Sequence, residues 1–318
     1  MTLLLATVQF TYADPLPSWR AGETKNAIID FVSKVTAPDG PDYVTPAERI
    51  AVFDNDGTLW AEQPVYFQLL FAMSRVADMA EEDPTVLTSD VLRAAASADM
   101  EGVLAEGEEG LIEIVAVTHS GMTVTAFQQS VSDWLASKVH PDKNRPFTDL
   151  VYQPMLELLR YLRDNGFETY IVSGGGIHFM RAFTENAYGI PPENVIGSIG
   201  KSRYEIVDGA PVILKDPGLA FIDDKEGKPI GIDQRIGRRP IFVAGNSDGD
   251  FAMLEWATAG SGQRLGIIVH HTDADREWAY DRDSPIGRLD RGLDEADDRG
   301  WFLIDMKADW RIVFPERP

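Results

Sequence analysis

The 318-residue chain carries 51 acidic against 29 basic side chains, a formal net charge of −22. That sign opposes any grip on a nucleic-acid backbone, and the short basic run at 235–240 does not reverse it. Hydrophobic residues make up 44% and charged residues 25%, with no low-complexity tract or fixed-period repeat, so the chain reads as globular and long enough for one large domain or two unequal ones. The lack of cysteine excludes disulfides, thiolate metal sites and cysteine nucleophiles, and no apolar run approaches membrane-spanning length.

Residues 1–13 read in two ways. Leu3 to Phe10 suits a buried first strand, whereas the same apolar stretch followed by Thr11, Tyr12 and Ala13 suits a signal peptide whose start is clipped. Proline-rich DPLPSW after Ala13 resembles a mature N-terminus. This favours a periplasmic or secreted protein, with a cytoplasmic one as the alternative.

Residues 23–35 space their apolar side chains as an amphipathic helix, and a Gly/Pro-rich segment leads into a strand at Ile50 to Phe53. From Tyr66 to about Val139 the pattern turns helical, with periodic segments at 66–80, 88–105 and 123–139. Then come a helix ending near Gly166, a strand ending at Ser173, a helix from Ile177, short β-like segments around 203–215, a strand at 240–246, a helix at 250–258 and a strand at 265–271. The acidic stretch 290–301 reads as a solvated helix before a strand at Trp301 to Met306. Strands alternating with helices predict an α/β fold with a mostly parallel sheet covered on both faces. The helical block interrupts that sheet.

The first core strand runs straight into Asp54, Asn55 and Asp56. Residues i and i+2 of an extended chain point the same way, so the two carboxylates raise one another's pKa unless a cation, a catalytic proton or open solvent offsets them. Two further strands end on polar, glycine-flanked residues: SGGG from Ser173 and GNSDGD from Gly245. Open parallel sheets place their sites at such carboxyl ends.

DNDGT, SGGG, a following lysine and GNSDGD, between Arg49 and Leu254, resemble motifs I to IV of the haloacid dehalogenase superfamily in its phosphatase branch. The resemblance implies a Rossmann-like core at 14–59 and 147–318, a mobile helical cap at 60–146 placed as in phosphoserine phosphatase-like members, Mg2+ as cofactor, and a phospho-aspartyl intermediate. Asp54 matches the nucleophile. Asp56 matches the second aspartate, an acid and base that dehalogenases lack. Ser173, with the amides of Gly174 and Gly175, is placed to hold phosphate oxygens at a helix start, or else to cap that helix. Lys228 is favoured over Lys225 by spacing as the motif III lysine. The expected metal set is Asp54, Asp56, Asn246 and Asp250. Asn246 stands where the family has an acid, which implies weaker Mg2+ binding and an Asn246→Asp change that lowers the Mg2+ requirement.

Other residues weigh less. Asp248 reads as a cap of the helix that follows it. His178 either meets substrate or packs, and His270 and His271 alternate sides of a strand and so favour structural roles. The aromatic cluster at 59–71 reads as cap core. In phosphoserine phosphatases a cap glutamate grips the substrate amine; here Gln63 holds that position with Glu62 one residue earlier. The expected function is a phosphomonoesterase for a small phosphorylated substrate, with no nucleic-acid partner and the oligomeric state open. A phosphotransferase or phosphomutase, and a non-catalytic phosphate-binding protein, are the alternatives.

Overall fold

The computed structural model of the protein describes residues 14–316, so the N-terminal stretch read as export signal or first strand lies outside the described residues. In chain order the strands are β1 (Ile50–Phe53), β2 (Glu168–Gly176), β3 (Val195–Val207), β4 (Ala210–Phe221), β5 (Phe242–Gly245), β6 (Leu265–Thr272), β7 (Ala279–Tyr280) and β8 (Phe302–Asp305). They form one sheet ordered β4-β3-β2-β1-β5-β6-β7, with β8 beside β6. The pairs β3/β4 and β6/β7 are antiparallel and the rest parallel.

Strand β1 is buried along its whole length and divides its side chains by period two. Ala51 and Phe53 join the larger apolar core on one face, and Ile50 and Val52 a second core on the other. A strand covered on both faces is what a parallel α/β sheet demands, and the expected Rossmann-like arrangement is observed.

Helix α1 (Glu23–Thr36) precedes β1 and sends Ile28, Phe31, Val32 and Val35 into the larger core. After β1 come α2 (Phe67–Glu82), α3 (Asp90–Ala96), α4 (Met100–Ala105), α5 (Gly107–Thr118) and α6 (Val124–Ser137). The single helix expected across 88–105 breaks at Ala98, where φ is +56°, and Asp99 restarts it by accepting the Gly102 N–H at 3.0 Å. Helix α5 forms where no clear 3.6-residue pattern stands out in the sequence. Helices α2 to α5 build a third core of their own from residues such as Leu69, Val76, Leu92, Val103 and Ile114, whereas α6 packs Phe127, Val131 and Trp134 into the larger core. The inserted segment is thus a four-helix unit plus a helix that belongs to the α/β body.

The β-like segments near 203–215 are parts of much longer strands. β3 leaves its parallel pairing with β2 and continues as an antiparallel ribbon with β4, turning at Asp208–Gly209, both with positive φ as a two-residue hairpin turn requires. The remaining helices are α7 (Gln153–Asp164), α8 (Ile177–Met180), α9 (Thr184–Tyr188), α10 (Gly227–Ile236), α11 (Phe251–Thr258), α12 (Arg291–Arg299) and α13 (Met306–Asp309). Among the described residues no helix is long and apolar enough to cross a membrane.

Candidate active site

Register brings the site together. Phe53 pairs with Ile171 of β2 and with Ala244 of β5, so Asp54 and Asn246, just past the ends of β1 and β5, come beside Ser173 in the last part of β2. The Asp54 N–H donates to the Ala244 carbonyl at 2.9 Å, extending the ladder by one rung. From α10, Lys228 is 2% exposed and donates to Asp54 Oδ1 at 2.6 Å, Asp250 Oδ1 at 2.6 Å and the Val172 carbonyl at 2.9 Å. Lys225 is exposed on the preceding turn, so Lys228 is the lysine that meets Asp54.

One ammonium between two buried carboxylates leaves negative charge in excess. Burial, and Asp250 beside it, push the Asp54 carboxyl well above the ordinary range against the pull of Lys228. Burial works against the Lys228 ammonium, yet Asp250 and Asp54 outweigh it and hold its pKa above the usual lysine value. Burial also raises Asp56, whose Oδ1 accepts from Trp60 Nε1 at 2.8 Å, while its Oδ2 lies against Gly175.

The break in motif IV has a structural counterpart. Asn246 Nδ2 donates to Glu62 Oε1 at 2.7 Å, and Asn246 Oδ1 accepts from the Thr58 hydroxyl at 3.1 Å. Glu62 is 1% exposed and its Oε1 also accepts from the Tyr280 hydroxyl at 2.8 Å. Gly57 (φ +73°) and Gly287 (φ +64°) wall this carboxylate in. A Cβ on Gly57 would overlap Asn246 and Glu62, and one on Gly287 would overlap Glu62. Burial drives the Glu62 pKa well above the usual value; the Tyr280 bond opposes this and the charges of Asp56 and Asp54 add to it. An acid missing at position 246 therefore stands in contact with it.

The glycine loop departs from expectation. Strand β2 runs on to Gly176, with a register shift between Ser173 and Gly176, and α8 starts only at Ile177. Ser173 to Gly175 are thus extended backbone rather than the first residues of a helix, a path that three residues without side chains allow. The Gly175 N–H donates to Ser173 Oγ at 3.1 Å. The Gly176 N–H donates to Gln68 Oε1 at 2.7 Å, and Gln68 Nε2 meets His119 Nε2 at 3.0 Å. The Thr118 hydroxyl donates to the Ile114 carbonyl, so His119 Nδ1 carries the hydrogen shared with Thr118 Oγ1 and Nε2 is the acceptor. Burial, then Lys215 and Arg75, bring the His119 pKa down to about 3, which keeps the ring neutral. This chain ties the inserted helices α2 and α5 to the loop after Ser173.

Asp250, expected among the metal ligands, is committed elsewhere. Its Oδ1 takes Lys228, and its Oδ2 accepts the N–H groups of Asn246 at 2.9 Å and Ser247 at 3.1 Å. Asp248 caps no helix of its own segment; it accepts the N–H groups of Arg291 at 3.0 Å and Gly292 at 2.9 Å at the start of α12. Gln63 turns to Ser284 and the Ile286 carbonyl, while Glu62 faces the site. His271 is buried between Glu277 and the Gly57 carbonyl, and His270 meets Asp281.

A cavity of about 370 Å3 opens over Asp54, Asp56, Ser173 and Lys228. It is lined as well by Leu111, Ile112 and Val115 of α5 and by Lys215 and Leu219 of β4, so the inserted helices and the hairpin share the space with the strand ends. Glu62, Gln68, His119 and Lys215 line it without any local motif to mark them. Of these only Glu62, adjacent to the Gln63 position, carries a hint in the sequence.

The donor chemistry suits a hard divalent cation. Asp54 and Asp250 share the ammonium of Lys228, and the carboxyls of Asp56 and Glu62 lie near Asp54, a set of hard oxygen donors with one cation among them. Among the described residues no three acidic or histidine side chains converge as a ready-made cage. Both Asp250 oxygens are taken by Lys228 and backbone N–H groups, whereas Asp54 and Asp56 each keep one oxygen free of such bonds and, with the Asn246 amide oxygen, are the groups that would hold an ion.

The model of the haloacid dehalogenase-like hydrolase family matches residues 51–255, well over half of the chain. The chain belongs to that family. This haloacid dehalogenase-like hydrolase shares its fold with a conserved, functionally unknown protein from Anaerococcus prevotii DSM 20548, at 19% identity and a TM-score of 0.52, covering 79% of this chain and 86% of that one. A protein of unknown function from Bordetella pertussis Tohama I aligns at 18% identity and a TM-score of 0.49, over 81% and 99% of the two chains. A phosphoserine phosphohydrolase-like protein from Francisella tularensis subsp. tularensis SCHU S4 aligns at 18% and 0.41, over 79% and 98%. No curated protein matches the sequence.

Proposed function

We propose that this hydrolase is a Mg2+-dependent phosphomonoesterase that cleaves a small phosphorylated metabolite through a phospho-Asp54 intermediate. The observation that carries the reading is the buried Asp54 carboxylate, tied to Lys228 at 2.6 Å and opening on one cavity with Asp56 and Ser173. With Oδ1 held by Lys228, Oδ2 is the oxygen that attacks phosphorus. The Lys228 ammonium offsets charge on both nucleophile and phosphoryl group. Asp54, Asp56 and Asn246 would hold Mg2+, which when bound would supply the further positive charge that lets two anions meet.

Asp56, whose pKa burial raises, is the group that delivers a proton to the leaving oxygen. Once ionised, it takes a proton from the water that opens phospho-Asp54. The Ser173 hydroxyl donates to a phosphoryl oxygen. Helix α5 and the β3–β4 ribbon close the far side and leave room for a compact ester body, not for a folded phosphoprotein. The test is phosphate release from p-nitrophenyl phosphate with and without Mg2+, by the parent protein and by Asp54→Asn. Mg2+-dependent release by the parent and none by the folded variant is the expected result. Turnover by a folded Asp54→Asn protein refutes the mechanism.

A further inference from the structure

We propose that Lys215 forms a second anion-binding subsite in this cavity, so that the substrate is a phosphomonoester bearing a further anionic group, a carboxylate or a second phosphate, on a compact apolar body. The inference rests on the phosphatase reading of the same site and specifies what lies beyond the phosphate.

Lys215 is 6% exposed and lines the same cavity as Asp54. Its backbone is pinned to the inserted segment, with its N–H on the Met122 carbonyl and its carbonyl accepting the Gly121 N–H, each at 2.9 Å. The ammonium donates to His178 Nδ1 at 3.2 Å and lies 4.5 Å from the centroid of the Phe127 ring. Neither contact carries negative charge. Burial, then Lys215 and Arg181, hold the His178 pKa down to about 4, so this ring, like that of His119, is neutral.

Among the described residues no carboxylate lies within 4.0 Å of Lys215, and Asp216, its neighbour in sequence, is taken by Arg203. An imidazole and a ring face orient an ammonium without cancelling its charge. A buried cation lacking a counter-ion is unfavourable, and the cavity lets the counter-ion arrive with the ligand. Burial brings the Lys215 pKa down to about 8, and a bound anion would lift it again.

Position sets the size of the ligand. His178 follows Gly175 by three residues, so the ring that the Lys215 ammonium meets lies close in sequence to the loop after Ser173. The cavity that holds both is also lined by the apolar side chains of Leu111, Ile112, Val115 and Leu219. A substrate spanning the two sites is therefore short, with an apolar middle and an anion at each end.

The test is calorimetric binding of phosphonates, whose C–P bond the reaction does not cleave, to the parent protein in Mg2+. Phenylphosphonate is compared with 3- and 4-carboxyphenylphosphonate and with 1,4-phenylenebisphosphonate. At least one doubly anionic ligand should bind about tenfold or more tightly than phenylphosphonate, the scale of a buried charge-assisted hydrogen bond. The carboxylate and bisphosphonate arms tell which anion the subsite takes. In Lys215→Met, which keeps the length and drops the charge, that gain should vanish, and in Lys215→Arg it should persist. Equal binding of all ligands by the parent, or no binding of any, overturns the proposal without recourse to a variant, and so does an undiminished gain in Lys215→Met. If the gain is present but the matching phosphate esters are not hydrolysed, the subsite stands and the phosphatase reading falls. If the esters are hydrolysed but the ligands bind alike, the phosphatase reading stands and the subsite falls.

Discussion

Exchanging the acid and the amide between Glu62 and Asn246 separates what the sequence suggests from what the structure suggests. By sequence alone, Asn246→Asp restores the family's acid and strengthens Mg2+ binding. In the structure Asn246 Nδ2 lies 2.7 Å from Glu62 Oε1, so an aspartate there sets two carboxylate oxygens face to face. At an effective dielectric constant of 20, unit charges at that separation repel by roughly 6 kcal/mol, enough to force a proton onto the pair. Asn246→Asp should therefore destabilise the fold in EDTA at pH 8. Glu62→Gln keeps an oxygen for Tyr280 and removes the charge. The double variant swaps the two groups, with the amide at 62 donating to the acid at 246.

Urea denaturation of the four proteins completes a double-mutant cycle, and a favourable coupling of about 2 kcal/mol or more is expected. Magnesium binding by calorimetry should weaken in Glu62→Gln and recover in the swap, because the total charge is again that of the parent. Additive stabilities, with coupling below about 0.5 kcal/mol, would show that Glu62 is not the displaced acid.

Three further substitutions test the remaining parts. Asp56→Asn should slow hydrolysis of alkyl phosphates far more than that of p-nitrophenyl phosphate, since a good leaving group needs little protonation; equal losses in kcat with both esters would count against the acid role. Lys228→Met leaves Asp54 and Asp250 buried without their cation and should cost roughly 3–5 kcal/mol in urea denaturation, a loss under about 1 kcal/mol being the refuting result. Burial pushes the Asp223 carboxyl up to about 7, with Lys228 opposing. A folded pKa raised above the unfolded value gives stability that is complete below about pH 4 and is lost as pH rises through 7, so Asp223→Asn should gain on the parent by up to about 4 kcal/mol between pH 4 and pH 8; a constant difference across that range would refute it.

The residues legible in the sequence are those whose role is set by their own strand. Apolar Ile50 to Phe53 followed by Asp54 and Asp56 announces a buried strand ending in a site, and the structure builds that strand from those residues. Spacing likewise favours Lys228, which enters on the helix leading to β5. What stays hidden depends on contacts between distant segments. Glu62 reaches Asn246 because Gly57 and Gly287, far apart in the chain, both leave it room. Asp248 looks like a local cap, yet it serves a helix that begins at Arg291. Lys215 follows an alternating strand pattern in which either face can be the wet one. Only the inserted loop at Gly121 and Met122, bound to its backbone, decides the matter.

These hidden residues give the cavity two unlike ends. At the sheet, the one ammonium of Lys228 is shared by two carboxylates, Asp54 and Asp250, so its charge is already taken. At the ribbon, Lys215 faces two neutral imidazoles and keeps its charge. A phosphate entering without a divalent ion is repelled by the first end and drawn to the second, which is the wrong way round for attack by Asp54. A divalent ion bound by Asp54, Asp56 and Asn246 would reverse that preference and free Lys215 for the substrate's other anion. On the proposed Mg2+-dependent reading, the ion would set the direction in which the substrate lies as much as it serves the chemistry at phosphorus. Inorganic phosphate should accordingly show a weak, Lys215-dependent affinity in EDTA and a tighter affinity with Mg2+ that survives Lys215→Met. Calorimetric titration of phosphate under the two conditions checks this, and a Mg2+-free affinity that is indifferent to Lys215→Met would refute the two-ended cavity.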